Sequence, residues 1–158
     1  KYKDEKIVLF EDFAKKFLPQ KLTFAIELKQ EGIENKTFNI IKKYATHNNI
    51  YITSFNYNTL ENMRKIDSNI KLSWLIKENI NKNNIDNLLK INGTQICPKA
   101  DNVTKNDIEL ANKSGLRVRL WGVSNEQIME RVYKFDIDGM TVNIPDKLQH
   151  LIEGNNNK

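Results

Sequence analysis

Cysteine, glycine-rich loops and long apolar runs are scarce or absent in this sequence, and each absence excludes a class of protein. Cys97 is the single cysteine, so the chain can form neither an intrachain disulfide nor a cysteine-based zinc site. No G-x-G-x-x-G or Walker pattern occurs, which argues against a nucleotide-phosphate loop. No run approaches the roughly 20 apolar residues of a membrane span. The length, 158 residues, is typical of one domain or of part of a larger one.

The net charge of +5 is spread along the chain. Because no block of five or six like charges occurs, we expect no nucleic-acid partner. A lysine-rich surface explains the charge, and attraction for an anionic substrate or lipid headgroup is the alternative. The opening KYKDEKIVLFEDF is charged and lacks the continuous apolar stretch of a signal peptide. Since the chain starts with Lys1, the compartment, cytoplasmic or secreted, stays open.

Predicted strands and amphipathic helices alternate along the sequence. The strand centres fall near residues 27, 53, 73, 96, 119 and 140. Each interval between them holds one helix, and this alternation is typical of a parallel sheet with crossover helices. An open doubly wound sheet fits this pattern. A barrel that lacks some of its strands fits it too, because a complete eight-stranded barrel usually needs about 250 residues.

Polar residues and glycine predict where several helices begin and end. Asn58 and Thr104 are placed to cap the starts of two helices. Ser124 and Gln127 have the spacing of a capping box for a third helix. Gly115 is predicted to end the helix that Thr104 begins, because glycine is favoured just beyond the last helical residue.

The stretch LTFAIELKQEG starts as a buried strand and ends with two charges on one face. Side chains alternate along a strand, so Glu27 and Lys29 lie on one side, about 7 Å apart, and Phe24, Ile26 and Leu28 on the other. A glutamate can bind Mg²⁺ or Ca²⁺, and a lysine can hold a phosphate oxygen as a point charge. A mutual salt bridge at the rim of a barrel is the alternative interpretation.

Other residues that could take part in binding or catalysis also lie near predicted strands. In parallel α/β folds the working groups sit at the carboxyl ends of strands. Thr53-Ser54-Phe55 ends the second strand, Trp121 lies near the end of the fifth, and Asp138 is assigned to the sixth. Trp121 is either a packing residue or a flat apolar wall beside an organic group. His47 and His150 lie away from strand ends, and we interpret both as surface or packing residues.

Four motifs, in order, resemble the glycerophosphodiester phosphodiesterase family. FAIELK matches a strand that ends Glu-x-Lys, and ITSFNY resembles a strand that ends Ser-Ser-Phe, with Thr53 in place of the first serine. LWGVSN corresponds to a strand that reads Trp-Thr-Val-Asn, and FDIDGMTVNIP to a closing stretch like Gly-Val-Asp-Gly-Ile-x-Thr-Asp-x-Pro. The resemblance extends to about Leu148. It implies an incomplete barrel domain over 1–153, and we expect a disordered tail over 154–158.

The resemblance also implies a fold, a reaction and roles for named residues. The fold would be a TIM barrel, and the reaction the hydrolysis of glycerophosphodiesters to an alcohol and glycerol 3-phosphate with Mg²⁺ or Ca²⁺, in lipid or glycerol metabolism. Glu27 would be a metal ligand and Lys29 a phosphate contact. Trp121 and Phe55 would shape the substrate pocket. Glycerophosphocholine, glycerophosphoethanolamine and teichoic-acid-like polymers are all open as substrates.

The sequence departs from the family pattern before its Glu-x-Lys motif. The family opens with His-Arg-Gly, then Glu-x-Asp, then a second histidine followed by aspartate, and none of these three patterns occurs here: His47 and His150 have other neighbours and follow Glu-x-Lys. The resemblance therefore implies a (β/α)8-type barrel without its first two strands, with six parallel strands alternating with helices. No catalytic residue can be identified, because both acid-base histidines and the Glu-x-Asp metal pair are missing.

Three consequences follow from this departure. We expect this chain alone to turn over little or no substrate. A catalytically inactive phosphodiesterase-like binding or scaffold module is the alternative function, and an unrelated βα protein a further one. Open barrel edges invite pairing with another chain, so a homodimer is an expected partner state.

Overall fold

The computed structural model describes residues 6–46 and 48–156, and His47 lies outside them. The described part contains six strands and seven helices. The strands are β1 (Phe24–Glu27), β2 (Ile50–Ser54), β3 (Lys71–Leu75), β4 (Gln95–Cys97), β5 (Arg117–Val123) and β6 (Gly139–Val142). The helices are α1 (Phe10–Phe17), α2 (Glu34–Tyr44), α3 (Tyr57–Ile66), α4 (Lys82–Lys90), α5 (Lys105–Lys113), α6 (Glu126–Tyr133) and α7 (Pro145–Asn156).

The strands form one parallel sheet in the order of the sequence, β1-β2-β3-β4-β5-β6. In the part of the chain that the structure describes, each strand pairs only with its sequence neighbours, and a helix connects each pair. The sheet curls into a half-barrel that is a truncated TIM barrel. This confirms the predicted six-stranded barrel fragment and excludes the doubly wound sheet, in which the strand order would reverse.

The two faces of the sheet differ in polarity because side chains alternate along each strand. The convex face is apolar: fully buried Ile52, Leu72, Ile96, Val118 and Leu120 join a core cluster with residues of the surrounding helices. Because the helices cover this face and the opposite face is polar, apolar and polar residues alternate along strands such as β3 and β5.

The concave face carries a network of polar side chains. Arg119 donates to Gln95 at 3.3 Å and to the Thr141 hydroxyl at 2.6 Å, and Ser73 donates to the same Gln95 oxygen at 2.8 Å. Arg117 bonds to the Tyr51 hydroxyl at 2.8 Å. These hydrogen bonds replace hydrogen bonds to water, so the polar side chains of the concave face are satisfied by one another.

Two of the predicted helix ends, those at Thr104 and Gly115, are confirmed. Thr104 caps α5 in a capping box with Asp107. Gly115 follows α5 with φ +77°, the left-handed conformation that suits glycine. The cap of α3, however, is Asn56, whose side chain accepts from the Asn58 N–H, so the prediction of Asn58 is wrong.

The start of α6 and the end of α7 also differ from the prediction. Asn125 rather than Ser124 caps α6, accepting from the Ile128 N–H at 2.9 Å. Helix α7 continues through Gly154, where the sequence predicts a disordered tail from 154. Gly154 does not adopt the positive φ by which a glycine ends a helix. Residues 157 and 158 of the predicted tail lie outside the described range. Within the described ranges, no helix has the length and apolarity that crossing a bilayer requires.

Candidate active site

The carboxyl ends of the strands surround a cavity of about 310 Å³, here called the inner pocket. It is lined by Ala25, Glu27, Thr53, Phe55, Leu75, Arg119, Trp121, Gly122 and Thr141. Three of the four predicted site residues, Glu27, Phe55 and Trp121, therefore meet in one cavity although 94 positions separate the first from the last. A parallel sheet brings such residues together because all its strands end at the same edge.

An adjoining cavity of about 370 Å³, the outer pocket, opens at the rim of the same edge. It is lined by Glu27, Leu28, Lys29, Ser54, Phe55, Asn56 and Lys77. Glu27 and Phe55 line both pockets, so they form the boundary between them. The fourth predicted residue, Lys29, lies in the outer pocket only.

Phe55 and Trp121 form an aromatic pair at this boundary. Their ring centroids are 5.1 Å apart and their planes meet at 89°, an edge-to-face arrangement. The Trp121 indole N–H donates to the Ile76 carbonyl at 3.0 Å, which fixes the ring's position. Phe55 remains 38% exposed, although it is a large apolar residue. The pair therefore forms an apolar wall in which Trp121 is fixed by its hydrogen bond and Phe55 remains accessible to a ligand.

Glu27 and Lys29 lie on the same side of the strand end, as the alternation of side chains predicts. The Lys29 ammonium is 3.9 Å from the Glu27 carboxylate, at the outer limit of an ion pair. Their side chains are 81% and 34% exposed respectively. Exposed pairs of this kind contribute little to stability. The salt bridge of the alternative interpretation exists, but it leaves both groups accessible to a ligand.

Thr53 is a pocket residue whose role the sequence did not indicate. Its Cα is the register partner of Glu27 in the ladder between β1 and β2. The side chain is buried, and its hydroxyl has no hydrogen-bond partner among the described residues. Such a buried group is costly unless something bonds to it. The neighbouring Ser54 hydroxyl differs, since it donates to the Leu28 carbonyl at 2.7 Å and so has a structural partner.

Two other predicted features lie away from the pockets. Asp138 precedes β6, so it lies at the amino end of the sheet and not at the carboxyl ends of the strands, where the two pockets lie. There its carboxylate accepts from the Arg117 side chain and the Val118 N–H, both at 2.7 Å, and the hydrogen bond to Asp138 raises the pKa of Arg117. His150 lies in α7, 79% exposed and 4.0 Å from Glu153, in agreement with a surface position.

The described residues supply only part of a divalent-metal site. Glu27 and Thr53 offer oxygen atoms, the donor type that Mg²⁺ and Ca²⁺ prefer, but these cations take about six or more oxygens. Within residues 6–46 and 48–156, no three histidine, cysteine, aspartate or glutamate side chains come together as metal ligands. The donor set is too small, and no reaction step can be derived through a metal from these residues.

Comparison with known proteins gives one consistent family. The sequence model of the "Glycerophosphoryl diester phosphodiesterase family" matches residues 3–147. A "Glycerophosphodiester phosphodiesterase" of Caldanaerobacter subterraneus is 26% identical over 121 residues, which cover 77% of this chain and 49% of that protein. An uncharacterized Bacillus subtilis protein, YqiK, is 23% identical over 96% of this chain and 65% of its own. The chain thus spans about half to two thirds of the length of these relatives.

Solved structures show the same fold. An Oleispira antarctica phosphodiesterase, in complex with the product sn-glycerol-3-phosphate, superposes with a TM-score of 0.74 and 18% identity, covering 83% of this chain and 55% of that one. A candidate glycerophosphodiester phosphodiesterase from Galdieria sulphuraria has a TM-score of 0.80 and 17% identity, covering 90% of this chain and 63% of that one.

Proposed function

The chain belongs to the glycerophosphoryl diester phosphodiesterase family, and we propose that its site binds a glycerophosphodiester and takes part in hydrolysing it to an alcohol and glycerol 3-phosphate. One observation carries the proposal: Glu27, Lys29 and the Phe55–Trp121 wall line two adjoining pockets at the carboxyl edge of the sheet. The product complex of the Oleispira antarctica relative supports a small glycerophosphate ligand for this kind of site.

We propose a role for each of these residues. The Lys29 ammonium contacts an anionic phosphate oxygen, since it is exposed and only loosely paired. If a Mg²⁺ or Ca²⁺ ion binds, Glu27 would contribute one of its oxygen ligands, and the ion would offset the charge of the phosphate. Phe55 and Trp121 form an apolar wall for the glycerol carbons or the leaving group. A substrate bound in this way would have its phosphate near Glu27, at the boundary between the pockets.

Hydrolysis also needs an acid and a base that the described site does not provide. A general base activates the attacking oxygen and a general acid protonates the leaving alkoxide. Apart from Glu27, the inner-pocket lining offers only hydroxyls, an arginine and apolar side chains. We therefore propose that the 158-residue chain alone binds the cation weakly and turns over little or no substrate.

A second candidate is a phosphodiesterase-like binding or scaffold module without catalysis. The small metal donor set favours it, because the site keeps a phosphate contact and an apolar wall but gathers few ligands. A homodimer is a further proposal: β1 and β6 each pair with one strand in the described sheet, and such edges can pair with another chain.

Release of glycerol 3-phosphate from several glycerophosphodiesters, with Ca²⁺, Mg²⁺ or EDTA, tests the proposal. For this chain we expect binding without appreciable turnover. Metal-dependent turnover that is lost in Glu27→Ala would support the site and contradict the expected inactivity. Binding that is unchanged in both Glu27→Ala and Lys29→Ala would contradict the proposed roles.

A further inference from the structure

Each ring of the aromatic wall already has a lysine ammonium beside it. The Lys77 nitrogen is 5.8 Å from the Phe55 ring centroid, and the Lys99 nitrogen is 5.9 Å from that of Trp121. Aromatic faces bind quaternary ammonium ligands through cation–π attraction. Here both rings are flanked by a cation of the protein, so a cationic ligand at this wall would meet like charges.

The two lysines differ in how their charge is compensated. Lys99 forms an ion pair with Asp101, so much of its charge is offset. Lys77 has no ion-pair partner within the residues that the structure describes, and it is exposed. Of the two, Lys77 is therefore the one available to a ligand.

The outer pocket carries a net positive charge. Lys29 and Lys77 both line it, and Glu27 is the one carboxylate in its lining. At the rim, Glu31 accepts a hydrogen bond from Asn56 at 2.6 Å and lies outside that lining. If Glu27 and Lys29 engage the cation and the scissile phosphate, the Lys77 charge is left for another part of the substrate.

We infer that the outer pocket selects glycerophosphodiesters whose leaving alcohol carries an anionic group, with Lys77 as the specificity-determining residue. This inference rests on the proposed function of the site. The lysines reject cationic alcohols such as choline, and Lys77 attracts a phosphate or carboxylate on the alcohol. The pocket's volume of about 370 Å³ lies within the range of small-ligand sites.

Calorimetric titration of the full chain in EDTA, which suppresses metal-dependent turnover, tests this selectivity. The probes are glycerol 3-phosphate diesters of choline, glycerol and glycerol phosphate, with cationic, neutral and anionic alcohols. We expect affinity to rise in that order. The anionic diester should bind about fivefold more tightly than the neutral one, as expected for exposed charges. The difference should shrink at high ionic strength, because salt screens exposed charges.

Variants assign the preference to Lys77. Lys77→Met should abolish the preference for the anionic diester, and Lys77→Arg should restore it. Lys90→Met is the matched control, since Lys90 is exposed at the end of α4 and lines neither pocket, and its loss changes the net charge equally. An unchanged preference in Lys77→Met, or tighter binding of the choline diester by the wild-type chain, would overturn the inference.

Separate readouts distinguish this inference from the proposed function. Binding in the expected charge order with no hydrolysis under any condition would support the inference and agree with the expected inactivity of the chain alone. Hydrolysis without any charge preference would overturn the inference and the expected inactivity of the chain, while supporting the proposed site. Failure of all three diesters to bind would overturn both.

Discussion

Glu27 and Thr53 are register partners across the ladder between β1 and β2, and both line the inner pocket. The carboxylate is accessible, whereas the neighbouring hydroxyl is buried and has no partner within the described ranges. A charged group and an unsatisfied hydroxyl side by side in a cavity are suited to bind one polar ligand.

Thr53→Val should weaken ligand binding while leaving stability equal or raising it by about 1 kcal/mol. Valine keeps the shape of threonine and removes a buried hydroxyl that has no partner in the described structure. Titration with glycerol 3-phosphate and urea unfolding measure the two effects. Thr59→Val is the matched control, because its hydroxyl is also buried and without a described partner, but lies in α3 outside both pockets. Equal affinity losses in both variants would contradict a ligand role for Thr53.

Lys29→Met should lower the affinity for glycerol 3-phosphate about fivefold and make it less sensitive to salt. The free energy of unfolding should stay the same, since the Lys29 side chain is 81% exposed and its ion pair with Glu27 is long. Binding at two ionic strengths measures the effect. Lys42→Met, in the last turn of α2, is a control with the same charge change. Unaltered affinity in Lys29→Met would exclude the proposed phosphate contact.

Gly122→Ala should destabilise the chain by about 1 kcal/mol and alter the environment of Trp121. Gly122 has φ +74°, which a side chain disfavours, and it lies where the register between β5 and β6 shifts. Urea unfolding and tryptophan fluorescence measure the two effects. Gly139→Ala in β6 is the matched control, since an added Cβ there would be 4.0 Å from its nearest neighbour and φ is not positive. Equal losses in both variants would argue against backbone strain at Gly122.

The Glu11 carboxyl should titrate below its ordinary pKa of 4.5, because Lys43 and Tyr44 donate hydrogen bonds to its charged form. A lowered pKa in the folded state means that this carboxylate contributes stability above the pKa of the unfolded chain. That contribution is lost as the pH falls through the lower pKa of the folded state. Lys43→Met should raise the Glu11 pKa, as measured by carbon-13 NMR titration. Lys15→Met should move it less, since the Lys15 charge acts without a hydrogen bond.

The order of strands and helices could be predicted because it depends on local periodicity. The pairing of Glu27 with Lys29 followed from the same period of two along β1. The cap assignments at Asn58 and Ser124 were wrong by one or two positions, because several asparagines and serines lie together and only backbone geometry selects among them. Asp138 was expected among the residues at the carboxyl ends of strands, but β6 begins one residue after it, so Asp138 lies at the amino end of that strand.

The sequence predicted less well which residues line the pockets. Thr53 and Lys77 lie in different βα units: Thr53 belongs to the Thr53-Ser54-Phe55 motif, which assigns its hydroxyl no role, and Lys77 belongs to none of the four motifs. Their importance depends on which hydroxyl lacks a partner and which ammonium lacks a carboxylate, and both are properties of the folded neighbourhood. The alternation of side chains, once combined with the register of Glu27 and Thr53, is the signal that could have placed Thr53 beside the glutamate.

The strand order of the sheet also bears on how the chain reaches this structure. Every ladder joins strands that are consecutive in sequence, so each pairing closes a loop of one βα unit. Each such loop is much shorter than the chain, so closing it costs less entropy than pairing strands that are distant in the sequence. One βα unit at a time can therefore add to the edge already formed. The outer pocket is complete once β3 has docked, whereas the inner pocket, which includes Trp121 and Thr141, is complete only after β6.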